Sequence, residues 1–143
     1  EKGAAVMIDV TESEDTLERI LKHPLMCFGT DSLYSTPIPH PRSFSATIHL
    51  LKDLVLDKGI ISFSEAIRRM SSESATRLGL KDVGIIKEGM RADINILNLN
   101  TLAPTATLSG GFTKNEGVEF VIVGGVVAYE KGVYNNTLTG KLY

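Results

Sequence analysis

Apolar residues recur along this chain with three different spacings, and each spacing predicts a different element. Between Ala4 and Val10 (AAVMIDV), and again between Leu25 and Thr30, they run almost unbroken. That is the pattern of a strand buried on both faces, as in parallel sheets. Between the two runs, Leu17, Ile20 and Leu21 fall at i, i+3 and i+4 on one helical face. Thr11 and Glu14 match a capping box that would open this helix, and His23-Pro24 would close it. Residues 4–30 therefore read strand–helix–strand, a right-handed parallel unit.

Helical spacing continues beyond a loop at Ser32 to Arg42, which holds three prolines in eleven residues. Phe44 to Lys58 carries Ile48, Leu51 and Val55 on one stripe, with Gly59 as its C-cap. A second capping box, Ser62 to Glu65, opens a helix with Ala66, Ile67 and Met70 inward. A short helix near Ser74 to Leu78 ends at Gly79. The spacing then drops to two. Asp93 to Leu99 alternates, and Glu119 to Ala128 (EFVIVGGVVA) reads as a β-hairpin turning at Gly124-Gly125. Glu130-Lys131-Gly132 is another turn, and the tail from Tyr134 is polar.

The change near residues 80–90 divides the chain into an αβ part, 1–80, and a β part, 81–143. Two apolar parallel strands need neighbours on both edges and cover on both faces. The expected fold class is accordingly α/β plus β: the last units of an incomplete sheet or barrel, followed by a small set of β strands.

The strand at Leu25 to Thr30 leads into Gly29-Thr30-Asp31-Ser32, so Asp31 would sit just past its carboxyl end. Catalytic side chains collect there in α/β barrels and open parallel sheets. A turn aspartate that caps nearby backbone N–H groups fits the same position. His40 and Arg42 lie in Pro39-His40-Pro41-Arg42, on the loop that Asp31 opens. A cation on a rigid loop beside a carboxylate could bind an anionic substrate, or could pair with Asp31 itself.

Composition narrows the chemistry. A formal net charge of −2 with interspersed signs gives no electrostatic reason for nucleic acid or an anionic membrane as partner. No run approaches the ~20 apolar residues of a membrane span. The single cysteine, Cys27, excludes an internal disulfide and fits a reducing, cytoplasmic setting. There is no HExxH, no CxxC and no histidine pair separated by one residue. Asp31, His40 and Cys27 could donate one metal ligand or base, but three or four ligands must converge. No nucleophile elbow or phosphate loop is present. A self-contained active site is not expected.

Seven segments carry a family resemblance: EDTLERILKHP (14–24), MCFGTDSL (26–33), PHPR (39–42), EAIRRM (65–70), ATRLGL (75–80), GIIKEGMRAD (84–93) and VIVGG (121–125). Together they resemble the C-terminal part of the amidohydrolase superfamily, and more specifically its N-acyl-D-amino-acid deacylase (D-aminoacylase) branch. The last three segments are shared across many amidohydrolases. The aspartate strand followed eleven residues later by the PHPR arginine points to the deacylases.

The resemblance implies a distorted TIM-like (β/α)₈ barrel joined to a small β-sandwich. Residues 4–30 would be barrel strands seven and eight with the helix between, and residues 44–78 the closing helices. The strands after Ile85 would be the C-terminal share of the sandwich. It implies one or two zinc ions in the full-length enzyme, held by earlier strands outside this chain, and none in the isolated chain. Asp31 would move a proton between water and the leaving amine, and Arg42, with His40 beside it, would bind the substrate carboxylate. Ser32 stands where the family usually has glycine. The implied partners are a small N-acyl amino acid and the remaining N-terminal part of the same enzyme, with a homo-oligomer left open. A cyclic amidase of the dihydroorotase or hydantoinase type is the alternative enzyme, against which Arg42 argues by answering a free carboxylate. A non-catalytic β-rich interaction module is the alternative outside catalysis.

Overall fold

The computed structural model describes residues 13–34, 39–108 and 114–143. The expected strand at Ala4 to Val10 and the expected cap at Thr11 lie outside these residues. The first helix, α1, spans Glu14–Lys22, and its N-cap is Ser13, whose hydroxyl accepts the Thr16 N–H. Glu14 pairs with Lys58 at 2.8 Å. Acidic Glu14 and Asp15 in the first turn and basic Arg19 and Lys22 in the last complement the helix dipole. The helix stops at His23, before Pro24, as expected. Of its apolar stripe only Leu21 is buried, while Leu17 and Ile20 face outward.

Residues 25–30 do not form the expected strand. A strand is defined by the ladder it shares, and among the described residues none runs alongside this segment. Met26 and Phe28 instead pack against the helical core as single side chains. The expected parallel strand–helix–strand unit is therefore absent among the described residues.

Past the proline loop, α2 (Arg42–His49) follows Pro41, whose fixed φ of −50° already suits a helix start. It runs directly into a π-helix at Leu50–Asp57, where a continuous α-helix is expected from sequence. The i→i+5 bonding of that form stacks Leu50 and Leu51 over Leu54 and Val55, and all four are buried. Ile48, Leu51 and Val55 do face the core, and Gly59 closes the segment with its N–H on Val55.

Helix α3 (Phe63–Met70) is capped by Ser62, whose hydroxyl accepts the Glu65 N–H. The Glu65 carboxylate turns away to Arg68 and Arg69, which hold its pKa down at about 2. Ala66 is buried, whereas Ile67 points outward, against expectation. Ser62→Ala should cost about 1 kcal/mol in a denaturant titration, because one first-turn N–H loses its acceptor. A loss below about 0.3 kcal/mol would mean that water replaces the cap. Helix α4 (Ser72–Arg77) follows α3 after a single residue.

The remainder is a four-stranded antiparallel sheet in sequence order: β1 (Ile94–Leu97), β2 (Val118–Val123), β3 (Val126–Glu130) and β4 (Val133–Tyr134). β2 and β3 form the expected hairpin, with Val123 opposite Val126 across Gly124-Gly125. Both glycines have positive φ (59° and 83°), the backbone that a two-residue hairpin turn requires. Gly117 leads into β2 with φ 74°, and a Cβ there would lie 2.6 Å from the Leu102 backbone. That close approach brings Leu102 into the same buried cluster as Leu21, Leu51 and Ala66, so sheet and helices share one core.

Candidate active site

The proline loop brings two of the expected site residues together. The Arg42 guanidinium grips Asp31 twice: Nη2 lies 2.9 Å from the carboxylate Oδ2, and Nε donates to the backbone carbonyl at 2.9 Å. Asp31 itself has φ 48°, one of three non-glycine residues with positive φ among those described. Aspartate tolerates this left-handed backbone better than most residues, and such outliers concentrate at functional sites. Ser32 is not among those outliers, so the turn does not need glycine there.

The Asp31 side chain is 85% exposed and that of Arg42 42%. An ion pair this wet adds little to folding, so the groups are free to part for another ligand. His40 takes a different place. Its Nδ1 accepts the Arg42 backbone N–H at 3.1 Å, at the first turn of α2. The histidine thus fixes the point from which the arginine side chain departs.

Further contacts from Ser43, Tyr34 and Asn115 hold the loop and were not legible beforehand. Ser43, buried at 8% exposure, accepts the Leu33 N–H at 3.1 Å and donates to the Leu33 carbonyl at 3.0 Å. The Tyr34 hydroxyl donates to the Ser43 carbonyl at 2.6 Å, and the Tyr34 ring meets Phe44 edge to face at 5.7 Å. At the next two residues Asn115 donates to the Phe44 carbonyl at 2.7 Å and accepts from Ser45 at 2.5 Å. These bonds dock α2 onto the chain leading into the sheet. No sequence signal marks them, because serine–backbone contacts carry no spacing motif.

The segment before Asp31 is anchored from the other side. Arg69, 5% exposed, donates from Nη1 to the carbonyls of Leu21 (2.6 Å) and His23 (3.0 Å). Cys27 is a half-buried free thiol, and His49 pairs with Asp53 on the helix surface. A shallow cavity of about 290 Å³ lies between Tyr34, Phe44 and the sheet residues Val121, Tyr129 and Tyr134; neither Asp31 nor Arg42 lines it.

A metal is a separate matter. Among the described residues no group of three or more His, Cys, Asp or Glu could hold an ion, and the Asp31 carboxylate already faces Arg42. These residues alone do not fit a metal centre. What the arrangement can do is present one accessible carboxylate beside one guanidinium, a proton acceptor next to an anion receptor. No described helix is long and apolar enough to cross a membrane.

Comparison with known proteins places these residues in context. The model of the Amidohydrolase family matches residues 4–129. The chain is 31% identical over 109 residues to an N-acyl-D-aspartate deacylase of Alcaligenes xylosoxydans xylosoxydans, a match covering 76% of this chain and 22% of that one. The crystal structure of a D-aminoacylase superposes on 90% of this chain with a TM-score of 0.86 at 26% identity, covering 27% of that protein. An N-acyl-D-glutamate deacylase from Bordetella bronchiseptica, solved with zinc and a phosphonate mimic of the tetrahedral intermediate, superposes on 91% with a TM-score of 0.84 at 25% identity, again covering 27% of that chain. The chain spans 22–27% of the length of the curated relatives it matches.

Proposed function

The chain belongs to the amidohydrolase family, and from that premise we propose that it is the C-terminal portion of a zinc-dependent deacylase acting on N-acyl-D-amino acids. The observation that carries this reading is the Asp31–Arg42 couple, with carboxylate and guanidinium 2.9 Å apart on one proline-rich loop. Amide hydrolysis needs a group that takes a proton from the attacking water and returns one to the departing nitrogen. Asp31 is that group. The water oxygen bonds to the acyl carbon, the C–N bond breaks, and the amine leaves carrying the returned proton.

Arg42 answers the free carboxylate that an N-acyl amino acid bears next to the scissile bond. A guanidinium offers that carboxylate two parallel hydrogen bonds, which fixes orientation as well as charge. His40 stands beside it and, through its Nδ1 bond to the Arg42 N–H, supports the backbone from which the guanidinium departs. A hydantoin-type cyclic amidase substrate carries no free carboxylate beside the scissile bond and would leave Arg42 without an anionic partner. A β-rich interaction module makes no use of the Asp31–Arg42 couple, which lies outside the sheet.

Under this reading residues 1–80 are the end of the barrel, including its seventh and eighth strands, and 81–143 the C-terminal share of the small β-sandwich. The segment 25–30 takes up its strand hydrogen bonds when paired with the rest of the barrel. The lone cysteine fits a cytoplasmic enzyme.

The metal ligands then come from residues outside this chain. The 143-residue chain by itself is expected to bind zinc weakly and to leave N-acyl amino acids intact, since a zinc site needs three or four convergent ligands. Elemental analysis of the purified chain, paired with a deacylation assay, tests both. Stoichiometric zinc together with turnover would overturn the division of labour proposed here.

A further inference from the structure

We propose that Ser43 is a positioning residue that sets the spacing between Asp31 and Arg42; the inference rests on the function proposed above. Three observations carry it. The Ser43 hydroxyl engages both the N–H and the carbonyl of Leu33, at 3.1 and 3.0 Å, from a buried position. Ser43 directly follows Arg42, and Leu33 lies two residues beyond Asp31. The Tyr34 hydroxyl closes a further bond onto the Ser43 carbonyl at 2.6 Å.

A serine hydroxyl has one proton and two lone pairs, so a single side chain can satisfy both backbone groups of Leu33 at once. That ties the two ends of the proline loop together at its base. The Asp31 carboxylate and the Arg42 guanidinium then depart from backbone whose separation is fixed, not from a loose loop. A free-acid substrate must meet both groups simultaneously. Its acyl carbon faces Asp31 while its carboxylate sits on Arg42, so the spacing matters most for that substrate. An amide-capped substrate is not held by Arg42 and senses the spacing far less.

The test uses the full-length protein and the best-cleaved member among N-acetyl-D-leucine, N-acetyl-D-aspartate and N-acetyl-D-glutamate, with its α-amide as partner. Ser43→Ala should lower kcat/KM for the free acid on the order of 10- to 100-fold, the scale of an ångström-sized misplacement. The α-amide should change less than about threefold, so the ratio between the two substrates collapses. Ser43→Cys, which keeps the size and a weak donor and acceptor, should restore part of that ratio. Asp31→Asn and Arg42→Lys run alongside as references, and thermal unfolding checks that each variant folds.

A proportional loss on both substrates would mean that Ser43 serves stability alone, and the clamp is overturned. So would unchanged kinetics in Ser43→Ala alongside impaired Asp31→Asn and Arg42→Lys. Unchanged kinetics in all three would overturn the proposed function as well. If Ser43→Ala fails to fold, Ser43→Cys decides: an unchanged ratio at lowered activity counts against the clamp, and a shifted ratio supports it.

Discussion

Replacing Asp31 with asparagine is expected to lower kcat of the full-length enzyme by ~10²–10⁴-fold, the span that a general acid–base group contributes. Asparagine suits this site as a probe for two reasons. It keeps the size of the side chain, and it shares aspartate's tolerance for the left-handed backbone seen at φ 48°. The Arg42 Nε bond to the backbone carbonyl of residue 31 also survives the change. What disappears is the basic oxygen and the charge that holds Arg42 Nη2. KM for free-acid substrates should therefore stay level or fall, because the guanidinium no longer has a resident carboxylate to leave. A fall in kcat with level KM marks an interaction made only in the transition state. Near-normal kcat would reduce Asp31 to a turn residue held by its neighbour.

Arg42→Lys should show the opposite bias. Lysine keeps the charge but replaces a planar fork with a single mobile point. A hydrogen bond to a charged group contributes about 1.5–3 kcal/mol, so losing one limb should raise KM for free-acid substrates roughly 10- to 100-fold. The bond from Nε to the Asp31 carbonyl goes as well, which loosens the turn and adds a smaller loss in kcat. Amide-capped substrates should lose far less in KM. Steady-state kinetics on both substrate types separates the effects, and equal losses on the two would mean that Arg42 supports the loop alone.

Much of the fold was readable because its signals are local. Ser62 caps α3 through a bond three residues away, and Gly124-Gly125 turns the β2–β3 hairpin through its own backbone. The segment at 25–30 behaved differently. Its composition is strand-like, but a strand is the property of a pair, and among the described residues no partner runs beside it. Helical spacing likewise identified the apolar faces of α1 and α3 without saying what covers them; Ile20 and Ile67 are exposed while Leu21 and Ala66 are buried. The cap of α1 is Ser13, a residue the capping-box pattern did not single out.

The site divided in the same way. Asp31 and Arg42 lie on one short, stiff loop, so their proximity follows from proline content and spacing, and the ion pair was one of two readings open in advance. Ser43 and Asn115 were invisible because they bind backbone atoms brought near by the fold. Asn115 meets Phe44 across 71 residues of sequence.

The attachment of α1 has a consequence for how the molecule breathes. Among the described residues this helix contributes a single buried side chain, Leu21, and polar ties hold its two ends: Glu14 to Lys58 at the first turn, the Leu21 and His23 carbonyls to Arg69 at the last. Helices fastened by a few polar ties open in native-state fluctuations at lower free energy than those embedded in a core. Its amides thus belong to a separate opening unit whose latch is the Arg69 guanidinium, while the π-helix and its four buried apolar side chains stay closed. The stretch leading to Asp31 begins at that latch, so opening of α1 pulls on backbone that the Ser43–Leu33 bonds hold at its other end.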